Sequence, residues 1–225
     1  HAENFSTDLV HEIRNPLTSL KSASEILYET ENLNQRKKLI DILNHDVQRI
    51  ERLITDYSQI LKDEVALSKE KMKKINLKMI VRSVVDDFNN IYEVKRGIKI
   101  ILNDLNNQEE YIINGIENRI EQIIANLLDN SISFSENNRK ILVEISKSEI
   151  ENVILRVVDE GKGFKEKNTK KIFDRFYSNR PDNFGEHSGL GLNIVKNLVD
   201  LHGATIYASN NITQKGANVE IVFPK

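Results

Sequence analysis

The chain of 225 residues contains no cysteine. Disulfides and thiolate metal sites are therefore excluded. It has no cationic excess either: 32 Lys and Arg stand against 34 Asp and Glu, a formal charge of −2. The electrostatic footprint of a nucleic-acid binder is missing. No apolar run approaches the roughly 18 residues that a membrane span requires, and no signal peptide is visible. These absences predict a soluble chain suited to a reducing cytosol, long enough for one large or two small domains. The first residues read as mid-helix, which predicts a piece of a longer protein. One further absence is local: between Leu33 and Leu67 there is neither glycine nor proline.

Most of that uninterrupted stretch reads as helix. Leu43, Val47, Ile50, Ile54, Tyr57 and Leu61 follow at intervals of 4, 3, 4, 3 and 4 residues, the spacing of a heptad-like seam between helices. Before it, "LVHEIRNPLTSLKSASEIL" (Leu9 to Leu27) reads as an amphipathic helix with Phe5, Leu9, Ile13, Leu17, Leu20 and Leu27 on one face. The polar run "YETENLNQRKK" predicts a turn between two antiparallel helices. Two helices alone bury too little apolar surface to be stable. Such a hairpin most simply pairs with a second copy into a dimeric four-helix bundle, the alternative being packing against the rest of its own chain.

His11 lies roughly 175° from the centre of the apolar stripe, with Asn15 and Thr18 within about 40° of it. It therefore points at solvent. Pro16 removes the amide that would bond the carbonyl of Glu12 and crowds that carbonyl, so a bend is expected beside His11 and Glu12. The plain reading is a surface histidine near a tolerated proline. A zinc-protease helix is excluded, because position 15 is asparagine and not a second histidine.

After about Ser68 the pattern changes. "KINL", "IKIILN", "EYIIN", "KILVEISKS", "NVILRVVDE", "ATIYAS" and "NVEIVF" read as strands. "KMIVRSVVDDFNNIYEVK", "GIENRIEQIIANLLDNSISF" and a segment after Gly189 read as helices. Helices interleaved with a mostly hairpin-connected sheet predict an α+β sandwich. Four pieces of this region carry chemistry. In "NLLDNSISF", Asn126 and Asn130 stack on one helical edge; they are either caps or surface amides, or oxygen donors to a hard cation such as magnesium. In "VVDEGKGF", a strand ends in Asp159, and Gly161 and Gly163 let the backbone turn tightly. A carboxylate there can accept a hydrogen bond from an exocyclic amine such as adenine N6. In "IFDRFYSNRPDNF", Phe173 and Phe176 flank Arg175 in a polar loop, and Arg175 and Arg180 are candidate phosphate contacts. In "GEHSGLGLNIVKNLV", Gly185, Gly189 and Gly191 lead into a helix, as at an anion-binding helix N-terminus. The pattern is neither a Walker loop nor a dinucleotide fingerprint.

In this order, "H-E-x-x-N-P", the heptad helix, "N-L-L-x-N", "D-x-G-x-G", "F-x-x-F-Y" and "G-L-G-L" resemble the sensor histidine kinases of two-component signalling over nearly the whole chain. The resemblance implies a dimerization and histidine-phosphotransfer domain at 1–67. It implies a catalytic ATP-binding domain of the Bergerat type at 68–225. His11 is then the phospho-acceptor, with Glu12 receiving a proton from the ring and orienting it. Asn15 positions a water that removes phosphate from the regulator. ATP is held by Asn126, Asn130, Asp159, Gly161, Gly163, Arg175, Gly185, Gly189, Leu190 and Gly191, and magnesium by Asn126 and Asn130. The implied partners are a second copy through the hairpin and the receiver domain of a response regulator, with no nucleic acid. Membrane contact is expected only through segments outside this chain, whose place is the cytoplasmic side of an inner-membrane-anchored sensor.

The chain departs from the family pattern at Ser133 and Phe134, where many members carry lysine and tyrosine, and at Ser131, usually alanine. The lysine's phosphate contact is then lost or supplied elsewhere, Arg175 being the candidate. The last glycine box, near "QKGANVEIVF", is abbreviated. Two other readings stand beside the kinase: a Bergerat-fold ATPase of another kind, and a non-catalytic dimeric scaffold, which Ser133 alone favours.

Overall fold

Apolar spacing and a single capping residue build the first unit. In the computed structural model, which describes residues 2–67, 70–107, 110–165, 169–174, 177, 189–211 and 215–225, α1 spans Ala2–Glu29 and α2 spans Leu33–Leu67. The turn between them is only residues 30–32, shorter than the polar run predicted. Asn32 is the reason. Its side-chain oxygen accepts from the backbone N–H of Asn34 at 3.0 Å and of Gln35 at 3.1 Å, an N-cap that starts α2 inside the polar run. Arg36 then donates to the carbonyls of Leu27 and Thr30 at 3.1 and 2.9 Å, closing the end of α1.

α1 passes through Pro16 without interruption. Pro16 and Ala23 are buried, as are Asp46 and Leu53 of α2, so the contact between the helices runs along these positions. Leu17, expected in the apolar stripe, is 51% exposed; of the heptad seam, Val47 is 46% and Ile54 50% exposed. The physical reason is the width of the stripe: one partner helix covers one flank of it and leaves the other to solvent. The side chains of Phe5 and Leu61, also placed in these stripes, lie outside the described residues.

The second unit is built on residues 70–179 and 191–225. Its elements are β1 (Lys73–Asn76), α3 (Leu77–Arg96), β2 (Lys99–Asp104), β3 (Ile112–Gly115) and α4 (Glu117–Phe134). They continue with β4 (Lys140–Lys147), β5 (Val153–Asp159), a short 3-10 turn (Thr169–Phe173), α5 (Gly191–Leu201), β6 (Thr205–Asn210) and β7 (Ala217–Phe223). β1 and β3 form a small antiparallel sheet. The other strands form a sheet in the order β2-β4-β5-β7-β6. β4-β5 and β6-β7 are the expected hairpins, but β2 and β4 run parallel, and parallel neighbours require a crossover, which here carries α4. β5 and β7 alternate buried and half-buried along their whole lengths, as strands do when only one face is covered.

The helices end on tertiary contacts as well as local caps. Arg96, in the last turn of α3, donates to the carbonyls of Ile132 and Ser135 at 2.8 and 2.7 Å. It thereby satisfies the C-terminal end of α4. The first turn of α4 has no side-chain cap. Its entry is fixed by buried His202, whose Nε2 accepts from the N–H of Ile116 at 3.1 Å while Nδ1 lies 2.7 Å from the carbonyl of Leu198. These partners assign the proton to Nδ1.

Burial lowers the pKa of His202, the bond to Leu198 opposing it in part. A proton on Nε2 would cost the Ile116 bond, so the folded state prefers the neutral ring. The unfolded ring titrates near 6.5. The stability this histidine contributes is whole above that value and is lost as pH falls from it through the lower folded pKa. We expect the thermal stability of wild type to drop more between pH 7 and pH 5 than that of His202→Gln. Parallel melting curves check this, and equal drops would refute it.

Candidate functional site

The phospho-acceptor candidate is built by helix phase. His11, Asn15 and Thr18 are all exposed on α1, and Pro16, between them in sequence, is buried. The Thr18 hydroxyl donates to the carbonyl of Arg14 at 2.9 Å. Glu12, 100° around the helix from His11, is half-buried. It accepts from Arg49 of α2, with Nη2 3.2 Å from Oε2. A partly exposed pair of this kind contributes roughly 0–1 kcal/mol.

The second candidate site lies in the sheet unit. Val153, Leu155, Val157 and Asp159 of β5 all face the core. Asp159 thus occupies the next apolar position of the strand and is only 4% exposed. Burial pushes its carboxyl pKa up, while the amides of Ala217 and Gly161 pull it back. Both amides donate to Oδ1, at 3.0 and 2.8 Å. Oδ2 accepts no hydrogen bond among the described residues, so protein amides hold one carboxylate oxygen alone.

Two glycines fit the turn beside Asp159 by shape. A Cβ on Gly161 would stand 2.7 Å from the carbonyl oxygen of Phe134, at the end of α4. Gly163 has φ of +74° and faces Asn210. Asn210 clamps the turn: its Oδ1 accepts from the N–H of Phe164 at 2.6 Å and its Nδ2 donates to the carbonyl of Phe164 at 2.9 Å. Gly216, with φ of +148°, lies so close to the carbonyl of Asp159 that a Cβ would come within 1.8 Å of it. Asn210, Gly216 and the amide of Ala217 were not among the expected site residues. The only sequence signal for them was the shortened "KGAN" before β7. A cleft of about 380 Å³ beside the turn is lined by Phe134, Glu136, Arg139, Glu160, Gly161, Lys162 and Lys215.

Asn126 and Asn130 lie one turn apart on α4, both half-buried, beside the buried stripe of Ile120, Ile123, Leu127 and Leu128. Ser133, one turn later, donates to the carbonyl of Asp129 at 2.6 Å. Among the described residues no group of three His, Cys, Asp or Glu could hold a metal ion. Gly189 has φ of +75°, and Leu190 is buried. Among the described residues a Cβ on Gly191, the first residue of α5, would meet nothing within 4 Å, so their packing does not demand glycine there. Phe173 accepts at its carbonyl from Asn193 at 2.9 Å, which ties the short 3-10 turn to α5. Arg175, Phe176, Arg180 and Gly185 lie outside the described residues.

Two families match this chain in succession. Residues 2–65 match the His Kinase A (phospho-acceptor) domain, and residues 115–225 match the histidine kinase-, DNA gyrase B-, and HSP90-like ATPase. Sensor protein ChvG of Rhizobium meliloti (strain 1021) is 37% identical over 214 residues, 92% of this chain and 37% of that protein. Sensor histidine kinase CusS of Escherichia coli (strain K12) is 28% identical over 227 residues, 98% of this chain and 45% of that protein. The chain therefore spans less than half the length of these curated relatives. Among solved structures, histidine kinase ThkA in complex with the response regulator protein TrrA is 25% identical. It has a TM-score of 0.69 and covers 99% of this chain and 61% of that one. With a phospho-acceptor helix pair followed by an ATPase sheet unit, the chain belongs to the sensor histidine kinases and comprises their kinase core.

Proposed function

We propose that this core transfers the γ-phosphoryl group of ATP to His11 and then to an aspartate of a response regulator, and that it also removes phosphate from that regulator. Residues 1–67 act as the dimerization and phosphotransfer domain, and residues 68–225 bind ATP. The observation that carries the reading is the exposed His11, set on the outer face of a helix whose buried positions turn to α2. A nucleophile there can meet a phosphate donor bound to a different domain, and later a different protein.

The chemistry follows from the side chains. A neutral imidazole nitrogen takes the phosphoryl group as its bond to ADP breaks, and the proton on the other ring nitrogen passes to Glu12. Asp159 receives the exocyclic amine of adenine on Oδ2. Gly191, free of steric demand from the described residues, lets phosphate approach the first amides of α5. Asn126 and Asn130 offer hard oxygen donors on one edge of α4, too few to cage an ion alone and suited to magnesium that arrives with the nucleotide. The ion would spread the charge of the transferring group.

Exposed Leu17, Ile40, Val47 and Ile54 support pairing of the hairpin with a second copy. The complex of ThkA with TrrA supports a response regulator as partner. No described helix is long and apolar enough to cross a membrane. The place we assign is the cytoplasmic side of an inner-membrane sensor, anchored through other parts of the longer protein, with no role in nucleic-acid binding. The family matches favour the kinase over a scaffold; the Ser133 hydroxyl, engaged by its own helix, leaves the lysine's phosphate contact to another residue.

His11→Gln should abolish acid-labile, alkali-stable label from γ-labelled ATP while ATP binding and dimer mass stay unchanged. Persistent label at wild-type level would sink the assignment. Asn15→Ala should keep autophosphorylation and transfer, yet slow regulator dephosphorylation at least tenfold. Kinase and phosphatase activity falling together in a well-folded protein would assign Asn15 a structural role instead. Asp159→Asn should weaken ATP binding at least tenfold by calorimetric titration without lowering stability. The raised folded pKa of Asp159 means that its contribution to stability is complete below the ordinary carboxyl range and is lost as pH rises through the folded value. At pH 7 the asparagine variant should therefore melt no lower than wild type, with any advantage shrinking towards pH 4. Loss of binding together with stability at pH 7 would count against a ligand role.

A further inference from the structure

The ion pair between Glu12 and Arg49 joins residues 37 apart in sequence at the level of His11. Neighbouring residues on a helix diverge by about 100° and do not face each other. An untethered Glu12 would therefore sample several rotamers, few of them beside the imidazole. Arg49 restricts that freedom. Its guanidinium takes Oε2 of Glu12, and Oε1 accepts no hydrogen bond among the described residues. We infer that Arg49 is a positioning residue for phosphorylation of His11: from α2 it anchors the Glu12 carboxylate by one oxygen, so that the other stays set to receive the proton of the imidazole. The inference rests on the roles proposed above for His11 and Glu12.

A competing account is electrostatic. Asp46 lies one turn before Arg49 on α2, buried, with Oδ2 lacking a partner among the described residues. Its other oxygen is 3.7 Å from Nδ1 of exposed His45. Arg49 would then serve the packing of the hairpin by offsetting Asp46, and Glu12 would be incidental.

A double-mutant cycle separates the two, measured on the dimeric chain with γ-labelled ATP. Arg49→Met is expected to slow autophosphorylation at saturating ATP by about fivefold. The ATP concentration giving half the rate should stay unchanged, since the nucleotide is bound elsewhere. Arg49→Lys should recover most of the rate. Above all, the double variant of Arg49→Met and Glu12→Gln should be no slower than Glu12→Gln alone, because a residue acting through another has no effect once that other is gone. Helicity and dimer mass confirm that each variant is folded. The inference is overturned if Arg49→Met phosphorylates within twofold of wild type. It is equally overturned if the slowing persists on the Glu12→Gln background, which would assign Arg49 to Asp46 and packing. If Glu12→Gln itself is as fast as wild type, the reading of Glu12 as proton acceptor falls and takes the inference with it. Unlabelled His11 in wild type would instead refute the kinase assignment.

Discussion

A carboxylate placed where an apolar strand would continue is the constraint on which the ATP-binding unit turns. Asp159 follows Val153, Leu155 and Val157 on the covered face of β5, and a charge there carries a desolvation cost. The chain offsets it with backbone amides from two places, Gly161 just beyond the strand and Ala217 at the start of β7. Those two bonds pin the turn against the neighbouring strand. The turn must then pass close to the end of α4, which leaves room only for hydrogen at Gly161. β7 must begin close to the carbonyl of Asp159, which leaves room only for hydrogen at Gly216. One residue's burial thus fixes the backbone of three segments. Both bonds fall on one carboxylate oxygen, an arrangement in keeping with the ligand role proposed for the other.

The helical unit has the opposite economy. Its apolar surface exceeds what two helices can hide, and the surplus falls in register along α2, where exposed Ile40, Val47 and Ile54 are each seven residues apart. Buried Asp46 interrupts the internal contact just where a further apolar residue would have strengthened it. A hairpin so built leaves apolar surface for association, and His11 lies exposed, off the face that α2 covers.

Hydrophobic period located nearly every element, because strands with one covered face and amphipathic helices write their environment into alternate or every third and fourth residue. Leu17 shows where period stops being enough: it belongs to the stripe, but α2 covers only one flank of that stripe. The polar run that leads into α2 reads as turn throughout, because composition cannot show that Asn32 caps the helix inside it. The parallel pairing of β2 with β4 left no local mark, since strands joined through a helix carry no turn signature. At the site, Asp159, Gly161 and Gly163 were legible as a contiguous motif. Asn210 and Gly216 were not, as they reach the same turn from the far end of the chain and act by shape and backbone contact. Arg49 was invisible for a similar reason: nothing in α2 tells which of its charges meets α1.

The crossover between β2 and β4 has a consequence for how the ATP-binding unit comes into being. Everything between Asp104 and Lys140, α4 with its two asparagines included, is a loop that must be closed before the parallel pair forms. Contacts so distant in sequence are slow to form and cannot persist piecemeal. The helix edge that carries Asn126 and Asn130 therefore has no stable existence short of the finished sheet. Molecules arrested part-way through maturation would lack a nucleotide site altogether, and bound nucleotide would act as a latch on completed copies alone.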